Sequence, residues 1–459
     1  MKRVWEFLKT ITQEKYLPLW GFAVIQLIYH IFMREPESSD AMWFFRNQLD
    51  AYSLKDYLVI RYHSWSSRFL IEGVLVYISR HMLLWKIVDY VFWVFLAWAF
   101  AWLFPEEKRR VACFMTVGFL LMYPIWDLRT AGWIATSVNY TWALALGVFS
   151  LHGVTRVLYG KKTPVWLALL YILAGCYGAN MEQMCAVLLA VNFLAILYFA
   201  YNKTDWKKYW HVFAGFVVSL GEILFILTCP GNALRENQEI ANWMPKYASF
   251  DFVDKICLGF VETMQHLLNS GNFMFLLFAV ILAVLVFLKS EELLHRFFAV
   301  IPVVMNVVLT FFQGMLEKYV PSFWELFENN AYVSGSNYHL GESYTLMFLY
   351  LLVLGSVLVS LVVVCESWAE LIAQCYLLVL GLATRVIMGF TPTIYVSKER
   401  TYLFFYMILG VSATWLIVNN IAVLRAKKRL LETMQLLGGC FVLFSVIFGL
   451  VQTGRLGMF

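Results

Sequence analysis

The chain has 459 residues, 61% of them hydrophobic and only 14% charged, with a mean hydropathy of +0.69. Soluble chains average about 45–50% apolar and about 25% charged, so a soluble enzyme, a disordered chain and a nucleic-acid binder are all excluded. The formal net charge of +5 is small, and in a membrane chain the sidedness of Lys and Arg matters more than their excess.

Lys2, Arg3, Lys9 and Lys15 precede a long apolar run without a small-residue cleavage site, which predicts a cytoplasmic start to a first span instead of a cleavable leader. No repeat and no Pro/Gly/Ser linker divides the chain, so residues 1–459 read as a single integral membrane domain. The apolar runs predict an all-α, polytopic transmembrane helix bundle of about thirteen spans. They fall at 17–33, 83–104, 111–125, 138–158, 164–179, 183–201, 209–228, 271–288, 297–312, 343–364, 371–389, 401–424 and 436–452. Runs 111–125 and 164–179 are short for a bilayer core of about 30 Å, which suits helices packed beside a cavity. Eight cysteines, mostly inside apolar runs and without a CxxC, read as small core residues.

With the N-terminus in the cytoplasm, inside segments carry 19 Lys and Arg and outside segments 15, of which seven lie in the long stretch 34–86. The short loops therefore favour this orientation, and an odd span count puts the C-terminus outside. The long outside loops are 34–82, 229–270 and 313–342. Within them 57–80 and 252–268 read as amphipathic helices lying on the membrane surface.

Polar constellations punctuate this pattern. In Glu35-Pro36-Glu37-Ser38-Ser39-Asp40, Asp40 reads either as a carboxylate acting on a sugar hydroxyl or a divalent cation, or as a helix N-cap before Ala41. Tyr62-His63-Ser64-Trp65-Ser66-Ser67-Arg68 pairs a phosphate-gripping guanidinium with a ring that stacks on sugars; the alternative is an interfacial aromatic belt. Asp127-Leu128-Arg129, Gly132-Trp133 and Ser137-Val138-Asn139-Tyr140-Thr141-Trp142 place polar groups at the mouth of a span, where interhelical hydrogen bonding is the plainer reading. In Asn180-Met181-Glu182-Gln183, Glu182 is ionisable at the bilayer edge, a costly position that favours a cavity-facing role. Cys229-Pro230-Gly231-Asn232 ends a helix in a turn that, with Arg235, could hold phosphate. His339 before span ten reads as a proton shuttle or a solvated loop histidine. Thr391-Pro392-Thr393-Ile394-Tyr395 and Lys398-Glu399-Arg400-Thr401 come next, Arg400 reading as a phosphate ligand or a headgroup-snorkelling residue. Arg385, within span eleven, needs an anionic partner, either a carboxylate or a bound phosphate. All of these fall on one predicted side of the membrane, which points to chemistry at the outer interface.

One cytoplasmic tail, one span, a long external loop with an early acidic residue and many further spans together resemble the GT-C class of membrane glycosyltransferases. Trp65-Ser66-Ser67-Arg68-Phe69, Ser137-Val138-Asn139-Tyr140 with Trp142, Asn180-Met181-Glu182, Pro230-Gly231-Asn232, and Thr391-Pro392-Thr393-Ile394-Tyr395 with Glu399-Arg400-Thr401 are similar to the motifs of a bacterial multi-pass family related to O-antigen glucosyltransferase-like proteins. The resemblance implies inverting transfer of a sugar from a polyprenyl-phosphate donor to a cell-envelope glycan or lipid acceptor on the extracytoplasmic face. It implies Asp40 as catalytic base or metal-binding acid, with Mg or Mn as the divalent cation. Class members often carry two adjacent acidic residues here, whereas Ser39 and Ala41 flank Asp40. Glu182 enters as the second carboxylate by position. Arg400, Arg68, Arg235 and Arg385 are the donor-phosphate candidates. Trp65, His63, Trp133, Asn139, Trp142, Asn180, Asn232, His339 and Tyr395 are the sugar and acceptor candidates. The expected partners are the lipid-linked sugar, its acceptor and membrane lipid, and no nucleic acid. The competing readings are a transporter or flippase of lipid-linked saccharides and a non-catalytic partner in envelope polysaccharide assembly.

Overall fold

The computed structural model describes residues 13–123, 133–269, 273–329 and 331–457. Among them every regular element is helical and no strand occurs. The expected cations Lys2, Arg3 and Lys9, and the expected group Asp127-Leu128-Arg129 with Gly132, lie outside the described residues. The chain folds as two compact units, one formed by residues 1–237 and 438–459, the other by 238–437.

In the first unit, α1 (Leu17–Phe32) enters through Pro18, whose missing N–H costs nothing in a first helical turn. Then come α2 (Leu54–Ser64), α3 (Phe69–Ile78), α4 (Met82–Trp102), α5 (Arg109–Met122), α6 (Trp142–Leu158), α7 (Val165–Ala179), α8 (Glu182–Tyr201) and α9 (Trp210–Thr228). The helix α10 (Pro230–Trp243) leaves this unit. Residues from Gly438 onward return to it: Ser445 Oγ donates to Leu121 O (2.8 Å) and Tyr29 Oη to Val446 O (3.3 Å). Helices α6 and α7 approach closely because both carry glycine at the crossing; a Cβ on Gly178 would sit 3.0 Å from the Gly147 Cα.

The single amphipathic helix expected over 57–80 is two helices, α2 and α3, separated at Trp65–Arg68. Ser66 Oγ accepts from the Arg68 N–H (3.2 Å) and offers the backbone an alternative to helical bonding. Glu72 of α3 then staples the pair: it accepts from Tyr57 Oη (2.7 Å), Arg61 Nε (3.0 Å) and Arg61 Nη2 (2.9 Å).

The second unit contains α11 (Phe252–Asn269), α12 (Phe273–Lys289), α13 (Leu293–Phe311), α14 (Thr345–Val364), α15 (Trp368–Val386), α16 (Leu403–Asn419) and the start of α17 (Lys428–Gly457). The surface helix expected at 252–268 is α11. It sits against the end of α15 through paired glycines: a Cβ on Gly389 would lie 1.9 Å from Lys255 O, and one on Gly259 2.3 Å from Val386 O.

Nine helices among the described residues are long and apolar enough to cross a membrane, or up to ten if the bent pair α11–α12 counts as one span. Every one of the expected runs coincides with a helix. Those at 17–33, 111–125 and 164–179 became helices of 16, 14 and 15 residues, too short to qualify on their own. Of the cysteines, all free, Cys113, Cys185, Cys229 and Cys257 are buried as expected, whereas Cys440 is exposed.

Candidate functional site

Four helix ends meet at one end of the first unit. Asn139 lies in the π-turn Ser137–Thr141 that leads into α6. Asn180 and Glu182 straddle the reversal between α7 and α8, and Asn232 comes just after the end of α9. Arg68 reaches this point from the break between α2 and α3.

Arg68 is the hub. Its Nη2 lies 2.7 Å from Glu182 Oε2, and its Nε donates to both Glu182 oxygens at 3.1 and 3.0 Å. Its Nη1 donates to Asn139 Oδ1 (2.8 Å), while Asn139 Nδ2 donates to Ala135 O (2.6 Å). Burial on its own weakens the guanidinium's hold on its proton. The Glu182 carboxylate more than reverses this, so the Arg68 pKa is raised and the group is permanently cationic. Both side chains keep some access, 19% for Arg68 and 26% for Glu182, so the pair stands at the edge of the unit and not in its core.

Asn180 ties the neighbouring backbone together. Its Oδ1 accepts from the Ile71 N–H (3.0 Å) and its Nδ2 donates to Glu222 Oε1 (2.6 Å). Glu222 and Glu182 are close enough to act on each other's charge, and Arg235 contributes to the field at Glu182. Asn232 Nδ2 donates to Ser67 Oγ (3.3 Å) and Ile226 O (2.9 Å). Gly231 allows this: a Cβ there would lie 2.4 Å from Trp65 N and 2.6 Å from Tyr62 O. Of the site residues expected from separate sequence motifs, Arg68, Glu182 and Asn139 are thus joined by hydrogen bonds, Asn180 and Asn232 bond to Ile71 and Ser67 in the chain beside Arg68, and Arg235 is nearby. Trp65 is half-buried beside them and its ring lies 5.5 Å from the Arg61 guanidinium; His63 is exposed, edge-on to Tyr62, and Trp133 is half-buried.

The other expected residues are elsewhere. Asp40 is exposed, and its side chain caps no helix; of the Ser38-Ser39-Asp40 group expected to cap, Ser39 does so, its Oγ accepting from the Met42 N–H at 3.4 Å. The inward-facing carboxylate of that loop is Glu35, 8% exposed, which accepts from the Ile134 N–H at 2.9 Å. Burial raises its pKa, Ser39 and Ile134 N–H partly offset this, and Asp40 raises it further. Among the described residues no three His, Cys, Asp or Glu side chains gather to hold a metal ion. Asp40 therefore has no such ligand set around it among the described residues. Trp142 is a core residue, not an open sugar platform: 4% exposed, it stacks on Phe92 (4.6 Å) and donates Nε1 to Asp89 Oδ1 (2.7 Å). Asp89, fully buried in α4, also holds His30 Nε2 at 3.0 Å.

Arg385, Arg400, His339 and Tyr395 belong to the second unit. The anionic partner Arg385 required is a carboxylate of the chain: its Nη2 is 2.6 Å from Glu262 Oε2, Nη1 donates to Thr401 Oγ1, and the guanidinium lies 3.7 Å over the Tyr402 ring. Tyr402 Oη donates to the same Glu262 oxygen (2.6 Å). With its charge and its donors used this way, Arg385 is a structural pair and not a phosphate ligand. Arg400 is half-buried with its Nε enclosed and unpartnered, whereas His339 and Tyr395 are exposed.

Glu222, Asp89 and Glu262 do not stand among the sequence motifs, though each carries one signal, a lone acid within or next to an apolar run; Glu35 stands in the motif that singled out Asp40 instead. No family model matches this chain, and no curated protein or solved structure is similar to it.

Proposed function

We propose that the chain is an inverting membrane glycosyltransferase of GT-C type, with about thirteen spans, its N-terminus in the cytoplasm and its C-terminus and active face outside. It moves a sugar from a polyprenyl-phosphate donor to a cell-envelope glycan or lipid. The observation that carries this reading is the hydrogen-bonded cluster of Arg68, Glu182 and Asn139 at one end of the first unit, with Asn180 bonded to Glu222 and Asn232 to Ser67 beside it. It sets two carboxylates, Glu182 and Glu222, beside cationic groups and several amides, a mixture suited to a polar, phosphate-bearing substrate.

In this reading Glu182 takes the proton of the acceptor hydroxyl as the oxygen attacks the anomeric carbon. The bond from that carbon to the phosphate oxygen breaks with inversion, and the polyprenyl phosphate leaves with both electrons. Arg68 and Arg235 stabilise the charge gathering on the leaving phosphate. Trp65 offers a ring for stacking on the sugar. Asp40, the base implied by the resemblance, is tested beside Glu182.

The experiment is transfer in proteoliposomes from a polyprenyl-phosphate hexose to membrane glycolipid extract. Wild type transfers; Glu182→Gln and Arg68→Gln lose at least 100-fold, and Asp40→Asn separates the two carboxylates. Full activity in Glu182→Gln removes it from the mechanism. A deletion strain accumulates polyprenyl-phosphate hexose and makes a glycan short of one sugar.

A second reading, a transporter or flippase of lipid-linked saccharides, is favoured by the His30–Asp89–Trp142 network inside the helices, because ionisable groups within spans mark substrate and proton pathways. Movement of labelled lipid-linked saccharide between leaflets without any transfer would select it.

A further inference from the structure

The opposite end of the first unit holds a cavity of about 580 Å³, within the roughly 300–1,000 Å³ of ordinary ligand sites. On α6 the lining begins at Phe149, ten residues beyond Asn139, which is about 15 Å at about 1.5 Å per helical residue. Val94, Phe95 and Phe149 form apolar walls, Trp98 and Trp102 an aromatic band, and Arg109, Arg156 and Lys161 a cationic end. No carboxylate is among the lining residues.

The cations are the unusual part. Arg109 is only 5% exposed. It donates to Phe104 O (3.1 Å) and Tyr16 Oη (3.4 Å), and its guanidinium lies 5.2 Å over the Trp102 ring. These partners are neutral, and its buried Nε has no hydrogen-bond partner. Arg156 likewise donates to a carbonyl, Lys162 O, and its Nε is buried and unpartnered. Of the nearby acids, Glu106 lies 3.1 Å from Lys15 and acts on Arg109 and Lys161 only at longer range, Glu14 lies 2.9 Å from Arg110, and Glu107 acts on Tyr159. Among the described residues no carboxylate comes within ion-pair distance of Arg109 or Arg156. A guanidinium taken out of water without a direct ion-pair partner is costly, so the cationic end of the cavity can still accept an anion. The cavity also opens sideways onto the apolar flank of the helices, where Trp20 is 40% and Val91 54% exposed.

We propose that this cavity is a binding site for an anionic membrane phospholipid. Its phosphodiester sits among Arg109, Arg156 and Lys161, its upper chain lies along Val94 and Phe149, and the rest leaves past Trp20 and Val91 into the bilayer. A free phosphate ion would leave the apolar walls unused, and a zwitterionic headgroup would bring an ammonium against three cations. The site is separate from the Arg68–Glu182 cluster and stands whether or not that cluster performs transfer.

The test is native mass spectrometry of the full-length protein in detergent, titrated with phosphatidylglycerol, with phosphatidylcholine, and with inorganic phosphate as competitor. The expected result is one saturable phosphatidylglycerol at least tenfold tighter than phosphatidylcholine and not displaced by millimolar phosphate. Arg156→Gln with Lys161→Gln should lose that preference by tenfold or more. Arg109→Gln also removes contacts to Tyr16 and Phe104, so a second variant, Val94→Trp, fills the apolar part while keeping all three cations and should lower lipid occupancy to the same degree. Equal binding of the two lipids, displacement by phosphate alone, or unchanged phosphatidylglycerol binding in Val94→Trp would each overturn the proposal.

Discussion

Glu35 shows how a single buried carboxyl sets a pH dependence. Its pKa is raised from 4.5 in the folded chain, chiefly by burial. The folded state therefore prefers the protonated form: the contribution is intact below the ordinary value and is lost as pH rises through the folded pKa. Glu35→Gln retains an acceptor for the Ile134 N–H and carries no charge. Thermal melting between pH 4 and 8 should show a smaller fall for this variant than for wild type; parallel curves would mean that Glu35 titrates alike in both states. Glu72 is the opposite case, a carboxylate already matched by Arg61 and Tyr57. Glu72→Gln leaves the buried Arg61 charge uncompensated, which for buried pairs costs about 3–5 kcal/mol; a melting midpoint unchanged from wild type would contradict this. Residues such as Arg68, Asn139, Asn180 and Glu182 were legible in the sequence because a polar group at the edge of an apolar run stands out by its cost. Their partners were not. Glu182 and Arg68 are 114 positions apart and Glu262 and Arg385 are 123 apart, and pairing at that separation is decided by helix packing, not local pattern. Asp40 is the conspicuous acid of its loop, and the chain leaves it in the open while turning Glu35 inward.

At the scale of elements, apolar periodicity located the helices well, since each expected run holds one, although 401–424 is broken after Asn419. Its limits were the breaks. The expected helix over 57–80 divides because the Ser66 side chain bonds to the Arg68 N–H and the Arg68 side chain is held by Glu182 and Asn139, which hydropathy does not register. Gly231 makes that break useful by letting the turn after α9 press on the backbone of Tyr62 and Trp65. Gly231→Ala must separate the two segments, because the atoms it meets are backbone and cannot rotate away. Overpacking of this kind costs about 1–3 kcal/mol. The variant should still insert in the membrane but melt lower and lose transfer, through the displacement of Ser67 and Asn232. Wild-type activity in Gly231→Ala would show that the contact is incidental.

At the scale of the whole molecule, the membrane class was legible from composition alone, while the number of crossings was not, because three helices of 14 to 16 residues sit below the length that spans unaided. Reporter fusions settle sidedness: those near Asp40 and Asn232 should read extracytoplasmic and those near Lys161 and Lys207 cytoplasmic, and reversed signals would separate the Arg68 cluster from an external lipid-linked donor. The first unit is also discontinuous in the chain, its closing segment from Gly438 arriving after residues 238–437. A ribosome adding about 5–20 residues each second needs roughly 10–40 s to traverse that interval. Through that pause Tyr29 and Leu121 have no Val446 or Ser445 to meet. The nascent first half must wait in the insertion machinery or the lipid with one flank unfinished, so a stall just past Leu437 leaves the later unit whole and the earlier one incomplete.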